Sequence, residues 1–193
     1  MVVSGPCKPG VTSAASVLTI NEVPEIITNP ITQTVCAGQS VTFSVNAGVT
    51  TAPTYQWRKG GVDIAGANSS SYTIAVTNAA SAGSYDVVVT GGCAGTATST
   101  AATLTINALP SITGQPVAAQ TVCEGSGAGF TVTASGTGLS YQWKKNGVDI
   151  VGATAATYNI AATTTASAGT YTVVVSGTCT PGVTSAAWVL TIN

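Results

Sequence analysis

Short runs in which apolar and polar residues alternate recur along the chain, among them Val41-Thr42-Phe43-Ser44-Val45, Ser71-Tyr72-Thr73-Ile74 and Tyr85-Asp86-Val87-Val88-Val89. Gly-rich turns separate them, and a period of two over so few residues predicts half-buried β-strands. No stretch sustains a helical period. The expected class is all-β, built of antiparallel sandwiches. The polar positions are filled largely by threonine, of which there are 33, a residue whose branched side chain suits a pleated surface better than a helix.

Sliding the sequence against itself shows why the runs recur. At an offset of 86, Tyr55-Gln56-Trp57 returns as Tyr141-Gln142-Trp143 and Tyr72 as Tyr158. Likewise Ala82-Gly83-Ser84-Tyr85 returns as Ala168-Gly169-Thr170-Tyr171, Cys93 as Cys179, and Leu104-Thr105-Ile106-Asn107 as Leu190-Thr191-Ile192-Asn193. Cys36 matches Cys123 after a slip of one residue. Two repeats, 22–107 and 108–193, with almost no linker, are expected to form a stiff tandem array. Residues 1–21 agree with residues 173–193 at 17 of 21 positions, but with residues 87–107 at only 11. They read as the C-terminal strands of a truncated upstream repeat of the second kind, and the chain as a piece of a longer array with an alternating two-domain period.

Charge and composition then narrow the function. Charged residues make up 6% of the chain, the net charge is -1 and the isoelectric point is near 5.0. That removes the electrostatic footprint that nucleic acid or an anionic membrane requires. Histidine is absent, and with it the commonest general base and metal ligand, which excludes most hydrolytic triads and nearly all catalytic zinc sites. The mean hydropathy is +0.41, yet Thr, Ser and Gly interrupt every apolar run well short of the ~18 residues of a membrane span. Membrane insertion is not expected. Met1-Val2-Val3-Ser4-Gly5-Pro6-Cys7 also lacks the basic start and apolar stretch of a signal peptide.

The order of these segments resembles an immunoglobulin-type domain. Val41–Val45, Tyr55-Gln56-Trp57, Tyr72-Thr73-Ile74 and Ala82–Val87 are similar to its strands B, C, E and F, with the strand C tryptophan and the tyrosine corner. The resemblance implies tandem immunoglobulin-like β-sandwiches in a head-to-tail array, with residues 1–21 supplying strands F and G of the upstream repeat. It also implies Trp57, Trp143, Tyr85 and Tyr171 as core residues. The usual inter-sheet disulfide positions carry Val45 with Val87 and Val132 with Val173, and the acid usual four residues before the corner tyrosine is Ser81 or Ser167. Val-Cys-Ala-Gly ahead of strand B, with Gly-Gly-Cys after strand F, is similar to tandem repeats of large surface and secreted proteins of Bacteroidota. Those include gliding adhesins and other type IX secretion cargo. This second resemblance implies an extracellular or cell-surface place, adhesion, and fibre-like stalks.

The five cysteines, Cys7, Cys36, Cys93, Cys123 and Cys179, form no Cys-x-x-Cys pair and have no neighbouring base, so disulfides are expected before zinc or catalysis. The simple pairing joins Cys36 to Cys93 and Cys123 to Cys179 within each repeat. On the strand assignment above, those partners lie at opposite ends of a sandwich, ~26 Å apart along strand F, where a disulfide needs Cα atoms about 6 Å apart. In a head-to-tail array Cys36 can instead reach Cys179 of the next repeat. This interdomain staple is the favoured pairing, with Cys7, Cys93 and Cys123 then awaiting partners in flanking repeats, and the intradomain pairing stays open as the alternative.

Ten of the eleven aromatic residues fall in repeat-matched pairs at inward slots, and only Trp188 stands alone, where its counterparts are Ala102 and Ser16. Trp188 shares a face with Leu190 and Ile192, so packing near the domain junction is the expected role, and it is the first candidate if this segment carries a ligand contact. Arg58-Lys59 and Lys144-Lys145 read as solvated hairpin turns, and the six acids make no calcium loop. No catalytic residue, metal or cofactor is expected. The expected function is a structural stalk or fibre segment of a bacterial surface adhesin or extracellular filament. Its partners would be neighbouring repeats, with homotypic filament assembly open and any surface or glycan ligand unknown. The alternative is an accessory ligand- or glycan-binding module of a secreted multidomain protein.

Overall fold

In the computed structural model, which describes residues 2–6, 8–117 and 119–193, the alternating runs are strands whose inward positions fill two separate cores. A hairpin of β1 (Val2–Gly5) and β2 (Lys8–Thr12) comes first. Next come β3 (Gln33–Cys36), β4 (Val41–Ser44), β5 (Thr54–Lys59), β6 (Val62–Asp63), β7 (Ser71–Ile74), β8 (Gly83–Thr90), β9 (Thr96–Thr98) and β10 (Ala102–Asn107). The second sandwich opens with β11 (Ser111–Gly114), β12 (Ala119–Val122), β13 (Ala128–Thr131), β14 (Thr133–Ser135) and β15 (Ser140–Lys145). It closes with β16 (Val148–Asp149), β17 (Thr157–Ile160), β18 (Gly169–Ser176), β19 (Val183–Thr184) and β20 (Trp188–Ile192).

In each sandwich the larger sheet is ordered β3-β10-β8-β5-β6 or β12-β20-β18-β15-β16. The facing layer is β4 with β7 in the first and β13 with β17 in the second, joined there by β11 with β14. Described pairs are antiparallel except β3 with β10 and β12 with β20, which are parallel. Proline creates this exception. Thr28 bridges Asn46 in the facing layer, and β11 pairs with β14 there, before Pro30 and Pro116 interrupt the donor pattern and the chain crosses to the larger sheet. The residue ahead of each proline secures the crossing. Asn29 Oδ1 accepts from the Thr100 N–H at 2.8 Å, and Gln115 Oε1 accepts from the Ala186 N–H at 2.9 Å.

The cores follow the repeat. Trp57 and Trp143 are fully buried, and their indole N–H groups donate to the carbonyls of Ser69 and Ala155 at 2.9 Å. Val45 and Val87, and Val132 and Val173, stand buried in the same clusters and fill the inter-sheet space with aliphatic volume. Tyr85 and Tyr171 donate to the carbonyls of Ser81 and Ser167 at 2.7 Å, so these corners close on backbone. Burial raises both tyrosine pKa values, with Tyr72 and Tyr158 adding to the shift. Ionising either tyrosine above about pH 10 therefore opposes folding.

Trp188 packs inward, as its shared face with Leu190 and Ile192 suggested, and the alternative of a ligand contact is overturned. It is 1% exposed, because the β18–β20 register sets it opposite Tyr171 on the inner face, where it packs edge-on against Tyr171 and Phe130. Ala102, its counterpart, is equally buried opposite Tyr85. The second core thus carries one more aromatic ring than the first.

Outside, threonines replace charge. Thr42 with Thr73 and Thr131 with Thr157 share cross-strand hydroxyl hydrogen bonds at 2.8 and 3.3 Å, and Thr54 bonds Thr90 in the same way. Arg58 clamps Asp86 through two bonds of 2.8 and 2.7 Å, which raises the pKa of its guanidinium, and Lys144 pairs with Asp149 at 2.8 Å. Replacing Trp188→Ala is expected to destabilise the second sandwich by about 3–5 kcal/mol and leave the first unchanged. Denaturant unfolding of the variant should therefore separate into two transitions.

Candidate functional site at the sandwich junction

The lower end of each sandwich is built around the parallel pair. In the register of β10 with β3, Asn107 lies beside Cys36, so the last residue of one strand and the cysteine ending the other leave the sheet together. The turn after Cys36 is then pinned. Ala37 N–H donates to the Asn107 carbonyl at 2.9 Å and Gly38 N–H to the Thr77 carbonyl at 2.7 Å. The buried Thr77 hydroxyl lies 3.3 Å from the Cys36 carbonyl and 2.8 Å from that of Gln39. The second sandwich repeats the device. Glu124 N–H donates to the Asn193 carbonyl at 3.1 Å, Gly125 N–H to that of Thr163 at 2.7 Å, and Thr163 Oγ1 to that of Cys123 at 3.2 Å.

The upper end receives the incoming chain. Ala108 N–H donates to Thr137 Oγ1 at 2.9 Å, and Thr178 N–H to the Thr137 carbonyl at 2.9 Å, so one threonine ties the entering strand to the turn that carries Cys179. Gly177 allows the close approach: a Cβ there would lie 2.8 Å from the Thr137 carbonyl oxygen and 3.0 Å from Pro110 Cγ. The first sandwich matches it. Glu22 N–H donates to Thr51 Oγ1 at 2.8 Å, Gly92 N–H to the Thr51 carbonyl at 2.7 Å, and Cys93 Sγ sits 3.1 Å from the Asn21 carbonyl.

Where the lower end of the first sandwich meets the upper end of the second, Cys36 and Cys179 are joined by a disulfide, with Cα atoms 5.8 Å apart. Cys179 is 1% exposed, with its Sγ 3.6 Å from the Asn107 carbonyl. Among the described residues, Cys93 at the top and Cys123 at the bottom are unpaired, and Cys7 lies outside the described residues. Trp57, Trp143, Tyr85 and Tyr171 lie in the cores, remote in role from this junction. Sequence reasoning missed Thr51, Thr137, Thr77 and Thr163, although both pairs, Thr51 with Thr137 and Thr77 with Thr163, match at the offset of 86. Threonine is too common in this chain for that match to stand out. A separate open groove of about 330 Å³ on the first sandwich is lined by Lys59, Ile64, Tyr72, Asn78 and Tyr85 among others. Lys59 Nζ spans it, bonded to the Ala80 carbonyl and lying 5.8 Å from the Tyr85 ring centroid.

Comparison with known proteins bears on this geometry. Residues 23–90 match the immunoglobulin domain family. The chain superposes on solved tandem arrays over most of its length. An I-band fragment from titin matches with a TM-score of 0.74 and 16% identity, covering 90% of this chain and 66% of the titin fragment. The fold is that of tandem immunoglobulin-like domains. Domains 1 and 2 of DIP-gamma match with a TM-score of 0.71 and 13% identity, over 90% of this chain and 99% of theirs. The insect immune protein hemolin matches with a TM-score of 0.59 and 16% identity, over 88% of this chain and 47% of hemolin. This chain therefore spans less than two thirds of the titin fragment and of hemolin. No curated protein matches the sequence.

The junction disulfide constrains both immunoglobulin-like domains. If either one unfolds while the other stays folded, about 70 residues remain closed as a loop at the folded neighbour, which by the chain-entropy model stabilises each domain by about 4 kcal/mol. Cys179→Ser is expected to lower the stability of both domains by about that amount, and the variant should match the reduced wild-type chain in denaturant unfolding.

Proposed function

We propose that this chain is a non-enzymatic, load-bearing segment of an extracellular array, a stalk or fibre that holds a binding or anchoring part away from a bacterial cell surface. The observation that carries the reading is the interdomain disulfide, which joins neighbours at the point where a linker would otherwise bend. A protein disulfide of this kind belongs to an oxidising compartment. The two ends of the pair support extension of the same pattern. Cys123 stands beside Asn193 as Cys36 stands beside Asn107, and Cys93 approaches Asn21 as Cys179 approaches Asn107. Cys93 and Cys123 are then halves of further staples to domains above and below. Residues 1–21 fit the same scheme, because Val2 opposite Thr12 and Val3 opposite Val11 reproduce, at an offset of 172, the register of Val174 with Thr184 and Val175 with Val183. Leu18 and Ile20 are exposed here, whereas their counterparts are Leu190, a core residue, and Ile192, which packs against that core. In this reading they belong to the core of the domain above.

The bacterial and Bacteroidota placement rests on the resemblance of the cysteine-bearing segments, and adhesion on that resemblance together with neighbours such as hemolin, whose structure is described in terms of homophilic adhesion. Immunofluorescence of intact and permeabilised cells of the source organism, with antibody to the domain pair, tests the reading. Labelling of intact cells or of shed filaments is expected; labelling only after permeabilisation would overturn it.

A further inference from the structure

The topology of the staple sets how far the pair can be stretched. Tension enters the first domain at Glu22, held at its top by Thr51, and leaves the second at Asn193, which lies at its bottom beside the Cys123 turn. Through the peptide backbone alone, that pull draws β3 upward and β10 downward, and it shears the parallel pair Leu104–Asn107 against Gln33–Cys36. The disulfide changes the path. Both lower ends of that pair are now fixed to the same neighbour, Asn107 by its peptide bond to Ala108 and Cys36 by its bond to Cys179. β3 and β10 can no longer slide past one another without carrying the second domain with them.

We infer that the Cys36–Cys179 bond acts as an extension limiter, a mechanical function distinct from its effect on stability and resting on the load-bearing reading above. The covalent route from Glu22 to Asn193 runs through Cys36, the disulfide and Cys179, and it skips a sequence separation of 143 residues. What remains is about 14 residues on each side, a reach of about 100 Å when fully extended, against about 600 Å for the same span without the staple. The limit holds even when both domains are unfolded, because the residues between Cys36 and Cys179 lie inside the covalent ring and only the two flanking segments, 22–36 and 179–193, add to the end-to-end length. Neither the strength of the cores nor that of the strand pairs then decides the maximum length of the segment; the position of two cysteines does. An array stapled at each junction would be nearly inextensible while its domains remained free to unfold and refold.

Single-molecule force extension of the full chain, tethered at its two ends, reads this directly. Under oxidising conditions the span beyond residue 21 should lengthen to no more than about 100 Å at any force below covalent rupture. Adding tris(2-carboxyethyl)phosphine, which reduces the bond to two thiols and is itself oxidised to the phosphine oxide, should release about 500 Å more. The Cys36→Ser, Cys179→Ser double variant should give the long extension without reductant; if that variant fails to fold, the wild-type chain with and without phosphine still decides. Equal lengths before and after reduction would overturn the inference. So would a partial release under oxidising conditions that corresponds to one whole domain. The measurement uses isolated protein, so its failure is separable from a failure of the cell-surface reading, which cell labelling tests.

Discussion

The parallel pairing of β3 with β10, repeated in β12 with β20, is the constraint on which the rest of this structure depends. An antiparallel partner would carry the cysteine-bearing end of β3 to the opposite pole of the sandwich. The parallel one brings Cys36 alongside Asn107, so the strand that leaves the domain and the strand that carries the thiol face the same neighbour. Two local features produce it. A proline takes the chain out of the facing layer, and an amide side chain just before that proline caps an unpaired N–H ahead of the final strand.

The same economy runs through the sandwiches. With so few charges, cohesion comes from buried rings and aliphatic side chains, from indole and phenol groups bonded to backbone carbonyls, and from threonine hydroxyls paired across strands. Valines occupy the positions where an inter-sheet disulfide would stand. Covalent reinforcement has moved instead from the inside of each domain to the contact between domains. A bond within a domain resists the unfolding of that domain alone. At the junction it couples two domains and fixes their spacing.

Much of this was legible because the chain writes its fold twice. The alternation in Val41–Val45 and the recurrence of Tyr55-Gln56-Trp57 as Tyr141-Gln142-Trp143 carry strand and core assignments together, since a residue that returns at the same place in a sandwich meets the same neighbours. The cysteine argument was accessible for a related reason: strand order fixes which pole a turn occupies, and pole positions rule partners in or out by tens of ångströms. Trp188 was legible only in part: its alternation with Leu190 and Ile192 pointed inward, but a residue with no counterpart in the other repeat has no second environment to compare, and a ligand contact stayed open. The β18–β20 register closes the question by setting it opposite Tyr171 on the inner face. The threonine ties at Thr51 and Thr137 escaped notice for the opposite reason, being one residue type among many alike.

Covalent linkage between neighbouring domains is the central claim, and non-reducing peptide mapping of the native protein tests it most directly. Chymotrypsin is the suitable enzyme, because the chain has only five lysines and arginines in all. The account predicts a peptide pair that joins Cys36 to Cys179 and falls apart on reduction. Recovery of Cys36 joined to Cys93, with Cys123 joined to Cys179, would contradict it and make each domain an independent module.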